Sequence, residues 1–424
     1  MTKATRIATH GALALGAFAL AAAAMSLPAR AVDASFANIR QGKALVDAGD
    51  CVSCHTQLDG GKPFAGGRAI ETPFGVIYSP NITPDPETGI GAWSDADFYR
   101  AMHEGRRPNG ARLYPAFPYP YFTKMTRDDV MAIRAYLNTL PAVKNPRRAA
   151  DLTWPLNHRV FMRGWNEMFF TPGTYKPDPQ KGAEWNRGAY LVEGAAHCGA
   201  CHTPKNALGA DKKDEALRGG LIQNWFAPKI AGNVHDGTGA WSVDDIAEYL
   251  KTGRNKFSGA AGLMAEVVHN STSKMAEADL KAMATYIKDV DGGPNPPPPP
   301  EQEKSDPKTM AGAAIYADSC SACHGADGKG VPHMFPPLEH NVNVHQPDPT
   351  TVIRVILEGA KTVATDARPT TSEMPAYNWK LKDDEVAAVA TYVRNAWGNH
   401  APPVDPERVR DMRKKLKKDR GNPS

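Results

Sequence analysis

Two cysteines separated by two residues, with a histidine directly after the second, recur three times, as Cys51-Val-Ser-Cys54-His55, Cys198-Gly-Ala-Cys201-His202 and Cys320-Ser-Ala-Cys323-His324. The pattern uses all six cysteines of the 424-residue chain. C-x-x-C-H is the attachment signature of c-type haem. Thiols at that spacing reach the two vinyl groups of one porphyrin as thioethers, and the next imidazole falls under the iron. A lone C-x-x-C would suit a thiol redox pair or half a zinc site equally well. Three copies that exhaust the cysteines, each followed by histidine, point instead to three covalently bound haem c groups. His55, His202 and His324 are then the proximal iron ligands. The second ring nitrogen of such a histidine usually donates to a fixed acceptor. Tyr78-Ser79-Pro80, Phe226-Ala227-Pro228 and Phe335-Pro336-Pro337 offer carbonyls for that purpose.

On the opposite face, a methionine thioether favours Fe(II), raises the potential and fills the sixth position of an electron-transfer haem. Met374, in Met-Pro-Ala-Tyr, is the candidate after the third motif, and Met264, 62 residues beyond His202, after the second. The same count from His55 lands on Phe117, in Tyr-Pro-Ala-Phe-Pro-Tyr, and phenylalanine cannot ligate iron. The first site therefore uses Met125, or another residue such as Met102 or His103, or leaves its iron open or water-ligated. Met125 lines up with Met275, which reads as an apolar helix-start residue.

The elements that must hold these groups read as short helices. Gly91-Ala92-Trp93-Ser94 followed by Asp95 and Asp97 recurs as Gly239-Ala240-Trp241-Ser242 followed by Asp244 and Asp245. In both copies a glycine, Gly105 or Gly253, comes twelve residues after the tryptophan. Serine with an acid shortly after it starts a helix, and the following residues carry apolar positions at helical spacing. Helices are also expected before each cysteine pair (Ile39 to Ala48, Gly188 to Gly194, Met310 to Asp318). Closing helices are expected from Arg127 to Leu140, Glu277 to Val290 and Asp383 to Trp397, each with an internal tyrosine. With little strand pattern, the expectation is an all-α chain of three small domains, in which a porphyrin supplies core that so few helices cannot build alone.

The predicted boundaries are a signal segment at 1–31 and domains at 32–145, 181–291 and 306–400. The intervening linkers are 146–180, rich in aromatics and proline and expected to pack across the first two domains, and 292–305. The second linker carries a run of five prolines that reads as a stiff spacer. A basic tail, 401–424, ends the chain. Lys3 and Arg6, an apolar run and Ala29-Arg30-Ala31 have the form of a cleaved secretory signal, with an uncleaved anchor as the alternative. The expected location is the periplasm, peripheral to the outer face of the inner membrane.

Formal net charge is +4, but the first 31 residues hold three of the positive charges and residues 408–420 a net six, which leaves the body at −5. Nucleic acid is thereby an unfavoured partner. Val409, Met412 and Leu416 form a narrow apolar stripe in the basic tail, the pattern of a helix lying on an anionic membrane surface.

Gly-Gly-Arg-Ala-Ile-Glu-Thr-Pro-Phe-Gly at 66–75, Asn-Ile-Thr-Pro-Asp at 81–85, Met-Ala-Glu-Val-Val at 264–268 and Met-Pro-Ala-Tyr-Asn-Trp-Lys-Leu at 374–381 extend the pattern beyond the haem motifs. With them the chain resembles the triheme cytochrome c subunits of membrane-bound periplasmic dehydrogenases for alcohol, gluconate, sorbitol and fructose. The resemblance implies three tandem class I cytochrome c-like domains. It also implies a dehydrogenase catalytic subunit of flavin, quinone or molybdenum type as donor, and ubiquinone or another cytochrome as acceptor. Alcohol-dehydrogenase-like members have methionine where this chain has Phe117. The Phe form resembles relatives that serve molybdenum hydroxylases or other aldehyde- and alcohol-oxidising partners.

No flavin fingerprint or phosphate-binding glycine loop stands in the sequence. The function expected is electron transfer, without substrate catalysis by this chain alone. The competing reading is a haem enzyme, a peroxidase or sulfur-compound oxidase, working at an open first iron.

Overall fold

A computed structural model describes residues 33–294, 303 and 305–421. The signal-like segment and the run of five prolines lie outside the described residues. Each C-x-x-C-H motif is preceded by a leading helix: Phe36–Ala48, Ala183–Tyr190 and Pro307–Ser319. The second of these passes at once into a π-helical turn, Leu191–Ala195, where the sequence reads as one helix from Gly188 to Gly194. The closing helices are Arg127–Leu137, Glu277–Asp289 and Asp383–Val393, with an aspartate or glutamate in each first turn facing the positive end of the helix dipole.

Leading and closing helices cross at a glycine in all three units. A Cβ on Gly42 would lie 1.9 Å from the Ala132 carbonyl oxygen, one on Gly188 1.9 Å from that of Ala282, and one on Gly312 2.3 Å from that of Ala388. The backbones therefore meet with no side chain between them. Both Gly-Ala-Trp-Ser repeats start helices as expected, Asp95–Glu104 and Val243–Thr252. Ser94 and Ser242 complete capping boxes with Asp97 and Asp245, while Gly105 and Gly253 end the helices at φ +62° and +73°.

Short strands qualify the all-α expectation. β1 (Ala69–Thr72) and β2 (Gly75–Tyr78) form an antiparallel hairpin, and β3 (Asp151–Leu152), from the linker, adds to β2 with Gly75 opposite Leu152. β4 (Gly220–Ile222) pairs with β5 (Trp225–Ala227), and β6 (Ala360–Lys361) with β7 (Glu373–Met374). Strands of two to four residues are too short for alternation to announce itself in the sequence.

The aromatic linker packs across the first two units. Met162 and Trp165, on the helix Phe161–Phe169, bury themselves among Tyr114, Tyr119 and Ala210, and Trp165 Nε1 donates to the Leu208 carbonyl at 3.0 Å. One apolar core joins these two units, from Leu45 and Ile133 to Leu191 and Leu280, and a second core forms around Ile353, Leu357 and Val389 of the third.

The apolar stripe of the basic tail faces protein. The helix Pro406–Gly421 lies on the third unit, with Val409, Met412 and Leu416 buried in that second core. Its arginines pair inward: Arg408 with Asp348 at 2.9 Å, Arg413 with Asp383 at 2.6 Å. The apolar stripe expected to meet a membrane is thus already covered by protein. Deleting residues 406–424 is expected to lower the melting temperature of the third unit ahead of the rest, since each fully buried aliphatic side chain contributes about 1.5–3 kcal/mol. Limited proteolysis with differential scanning calorimetry reads this directly, and an unshifted transition for the third unit rejects it.

Candidate haem sites

At each motif the histidine is held the same way. His55 Nδ1 donates to the Pro80 carbonyl at 2.7 Å, His202 Nδ1 to Pro228 at 2.7 Å and His324 Nδ1 to Pro336 at 3.1 Å. A carbonyl oxygen only accepts, so the hydrogen sits on Nδ1 and the lone pair on Nε2. Burial lowers all three imidazole pKa values, which keeps the rings neutral as a metal ligand must be. The expected carbonyls are the ones used. In the third site the acceptor is the middle residue of Phe-Pro-Pro.

A second clamp was not foreseen from the sequence. Gly66, Gly219 and Gly330 each donate their backbone N–H to the carbonyl of the motif histidine, at 2.7, 2.7 and 2.8 Å. All three have positive φ, +74°, +90° and +62°. At Gly66 and Gly330 a Cβ would come within 2.4 Å of backbone in the segment that carries the accepting proline. Their unequal distances from the motifs hide the equivalence in the sequence; glycines placed between motif and proline were the available signal.

Burial drives the cysteine pKa values upward: Cys54 and Cys198 to about 12, Cys320 to about 11, with Cys51 and Cys201 also raised. Reactive or zinc-binding cysteines need the opposite shift, toward thiolate. A connected cavity of ≈ 2680 Å³ is lined by Cys198, Cys201, His202 and Met264, and by Cys320, Cys323, His324 and Met374; it also reaches Cys54. That exceeds the roughly 300–1,000 Å³ of a small-ligand pocket. Paired thiols, a neutral imidazole with Nε2 free and an apolar cavity with a methionine on its wall all fit a covalently held haem.

Met264 is the third residue of the helix Gly262–Asn270, and Met374 ends β7. Around the first motif, Met102 and Met125 are buried, Met125 completely, in the core that Cys51 and Phe117 also border. Phe117 stands 5.4 Å from the Phe122 ring, which in turn stands 5.4 Å from His197. His103 stacks on Tyr99 at 4.9 Å, with Thr123 Oγ1 3.5 Å from its Nδ1.

The family model for cytochrome c matches residues 39–141, 186–291 and 309–397, one segment around each motif. The chain belongs to the cytochrome c family. It is 40% identical over 394 residues to the cytochrome c subunit of a quinone alcohol dehydrogenase from Gluconobacter oxydans, covering 88% of this chain and 81% of that one. The cytochrome c subunit of gluconate 2-dehydrogenase from Pantoea cypripedii is 37% identical, with 90% and 91% covered. The cytochrome subunit of fructose dehydrogenase from Gluconobacter japonicus is 35% identical over 404 residues, with 89% and 82% covered. Membership in the family implies covalently bound haem c.

Proposed function

We propose that this cytochrome carries three haem c groups in three tandem class I domains and serves as the electron-transfer subunit of a periplasmic dehydrogenase for an alcohol, aldehyde or sugar. It passes electrons to ubiquinone or a downstream cytochrome. The observation that carries the reading is the threefold repetition of one geometry, a cysteine pair beside an imidazole locked by a proline carbonyl. Haem supplies reversible one-electron iron chemistry. The protein's part is to attach it through Cys51 and Cys54, Cys198 and Cys201, Cys320 and Cys323, and to orient His55, His202 and His324. Met264 and Met374 supply sulfur to the second and third sites, and Met125 to the first.

Relatives named as cytochrome c subunits of dehydrogenases support the donor. Periplasmic placement rests on the signal-like first 31 residues and on the chemistry of haem attachment. No observation favours the peroxidase or sulfur-oxidase alternative.

Intact mass decides the cofactor number. The processed chain is expected to exceed its polypeptide mass by three haems, and a surplus of two would reject the triheme reading. Reduction of all three by the co-purified dehydrogenase and its substrate tests the donor.

A further inference from the structure

Two of the sequence motifs beyond the haem signatures meet in space. Arg68, from Gly-Gly-Arg-Ala-Ile-Glu, forms a two-pronged ion pair with Glu266, from Met-Ala-Glu-Val-Val, although they are 198 positions apart. Arg68 is only 9% exposed, and its Nη2 lies 2.9 Å from Glu266 Oε2. Arg68 Nη1 also donates to the carbonyl of Ser53, inside the first C-x-x-C-H turn, at 2.7 Å. Its backbone exchanges hydrogen bonds with Ser79, whose neighbour Pro80 accepts from His55.

Glu266 sits two residues after Met264 on the helix Gly262–Asn270, and the end of that helix is fastened to the same turn. Asn270 Nδ2 donates to Ser53 Oγ at 2.8 Å, and Ser271 Oγ donates to the Ala48 carbonyl at 3.2 Å. The helix bearing Met264 is therefore tied to the attachment turn of the first site at its middle by way of Arg68 and at its end by Asn270, with Ser271 fastened to the leading helix before that turn. Counting two residues on from the glycine clamp gives Arg68 in the first unit, Leu221 in the second and Pro332 in the third, so of these three positions the first alone carries an arginine.

We infer that Arg68 and Glu266 are positioning residues for the sixth ligand of the second haem, holding Met264 at its iron through the turn that attaches the first. This rests on the reading of Met264 as that ligand. A planar guanidinium with a carboxylate fixes direction as well as distance, which a single charge contact does not. When the pair is broken, the Met264 sulfur spends part of its time off the iron. The second site then loses some of its Fe(II) preference and admits small ligands.

The test uses the full haem-loaded protein and its variants Glu266→Gln, Arg68→Gln, Arg68→Lys and Met264→Ala, read by potentiometric titration and by imidazole binding. Glu266→Gln and Arg68→Gln are expected to lower the same single potential that Met264→Ala lowers, by a smaller amount. They are also expected to tighten imidazole binding at one haem in three by about tenfold. Arg68→Lys, which keeps the charge without the fork, is expected to fall between them and the parent. Haem content and melting temperature, measured in parallel, identify a variant that has unfolded; in that event Arg68→Lys decides the question. Parental potentials and imidazole affinity in the pair variants, with Met264→Ala shifted, reject the positioning role and leave the ligand in place. No shift in Met264→Ala overturns the ligand assignment and the positioning role with it.

Discussion

Alanine at Gly188 is expected to cost more than about 3 kcal/mol of stability, beyond the usual penalty for overfilling a core. The added methyl would sit 1.9 Å from the Ala282 carbonyl oxygen and 2.9 Å from Tyr286 Cβ, and the nearer obstacle is backbone within a helix, which cannot turn aside. Relief requires the leading and closing helices to separate, which would uncover Ala189, Leu280 and Met283, all fully buried. The helix itself would gain roughly 1 kcal/mol from losing a glycine, far too little to offset this. Gly42 and Gly312 are expected to behave alike in their own units. Gly164 provides the control: it lies in the helix Phe161–Phe169 with open space where its Cβ would point, so Gly164→Ala is expected to be neutral or stabilising. Calorimetric melting of the haem-loaded variants reads the difference, and equal melting for Gly188→Ala and Gly164→Ala would refute the close-crossing account.

Loss of a distal sulfur is the other large effect. Met264→Ala and Met374→Ala are each expected to lower one potential by roughly 0.1–0.3 V, a fraction of the approximately 0.8 V over which axial ligands tune haem. Each is also expected to open one iron in three to cyanide. Two variants address the first site. Met125→Leu keeps nearly the same volume in a fully enclosed position, so the fold is retained while the sulfur is lost. Its expected result is a new high-spin fraction from one haem. Phe117→Met is expected to leave the spectrum unchanged if Met125 already ligates. A new low-spin His/Met signal in Phe117→Met, with Met125→Leu silent, would assign an open first iron instead.

What could be read from the sequence was local chemistry. Ser94 and Ser242 announce their helices because capping needs only three residues of context, and the proline carbonyls beside the histidines belong to short segments with recognisable neighbours. What could not be read was partnership. The stripe of Val409, Met412 and Leu416 declares that something covers it without saying what, and the third unit's core does so in place of lipid. Arg68 and Glu266 stand in visible motifs, yet no periodicity links residues so far apart. The leading-helix glycines look unfavourable for a helix until the crossing backbone is seen.

The small hairpins bear on any attempt to study one haem domain in isolation. The free side of β2 is paired by β3, which arrives from the linker. The free side of β5 is closed by one hydroxyl from the third unit: Thr351 Oγ1 accepts from the Phe226 N–H at 3.0 Å and donates to the Phe226 carbonyl at 2.9 Å. Chain from beyond each unit thus caps its sheet. A second unit expressed alone would present an unsatisfied strand margin beside the already exposed Leu221, the kind of surface that recruits other chains edge to edge. Self-association of such a fragment would then reflect the cut itself, and extending it through Thr351, or supplying the third unit in trans, should suppress it.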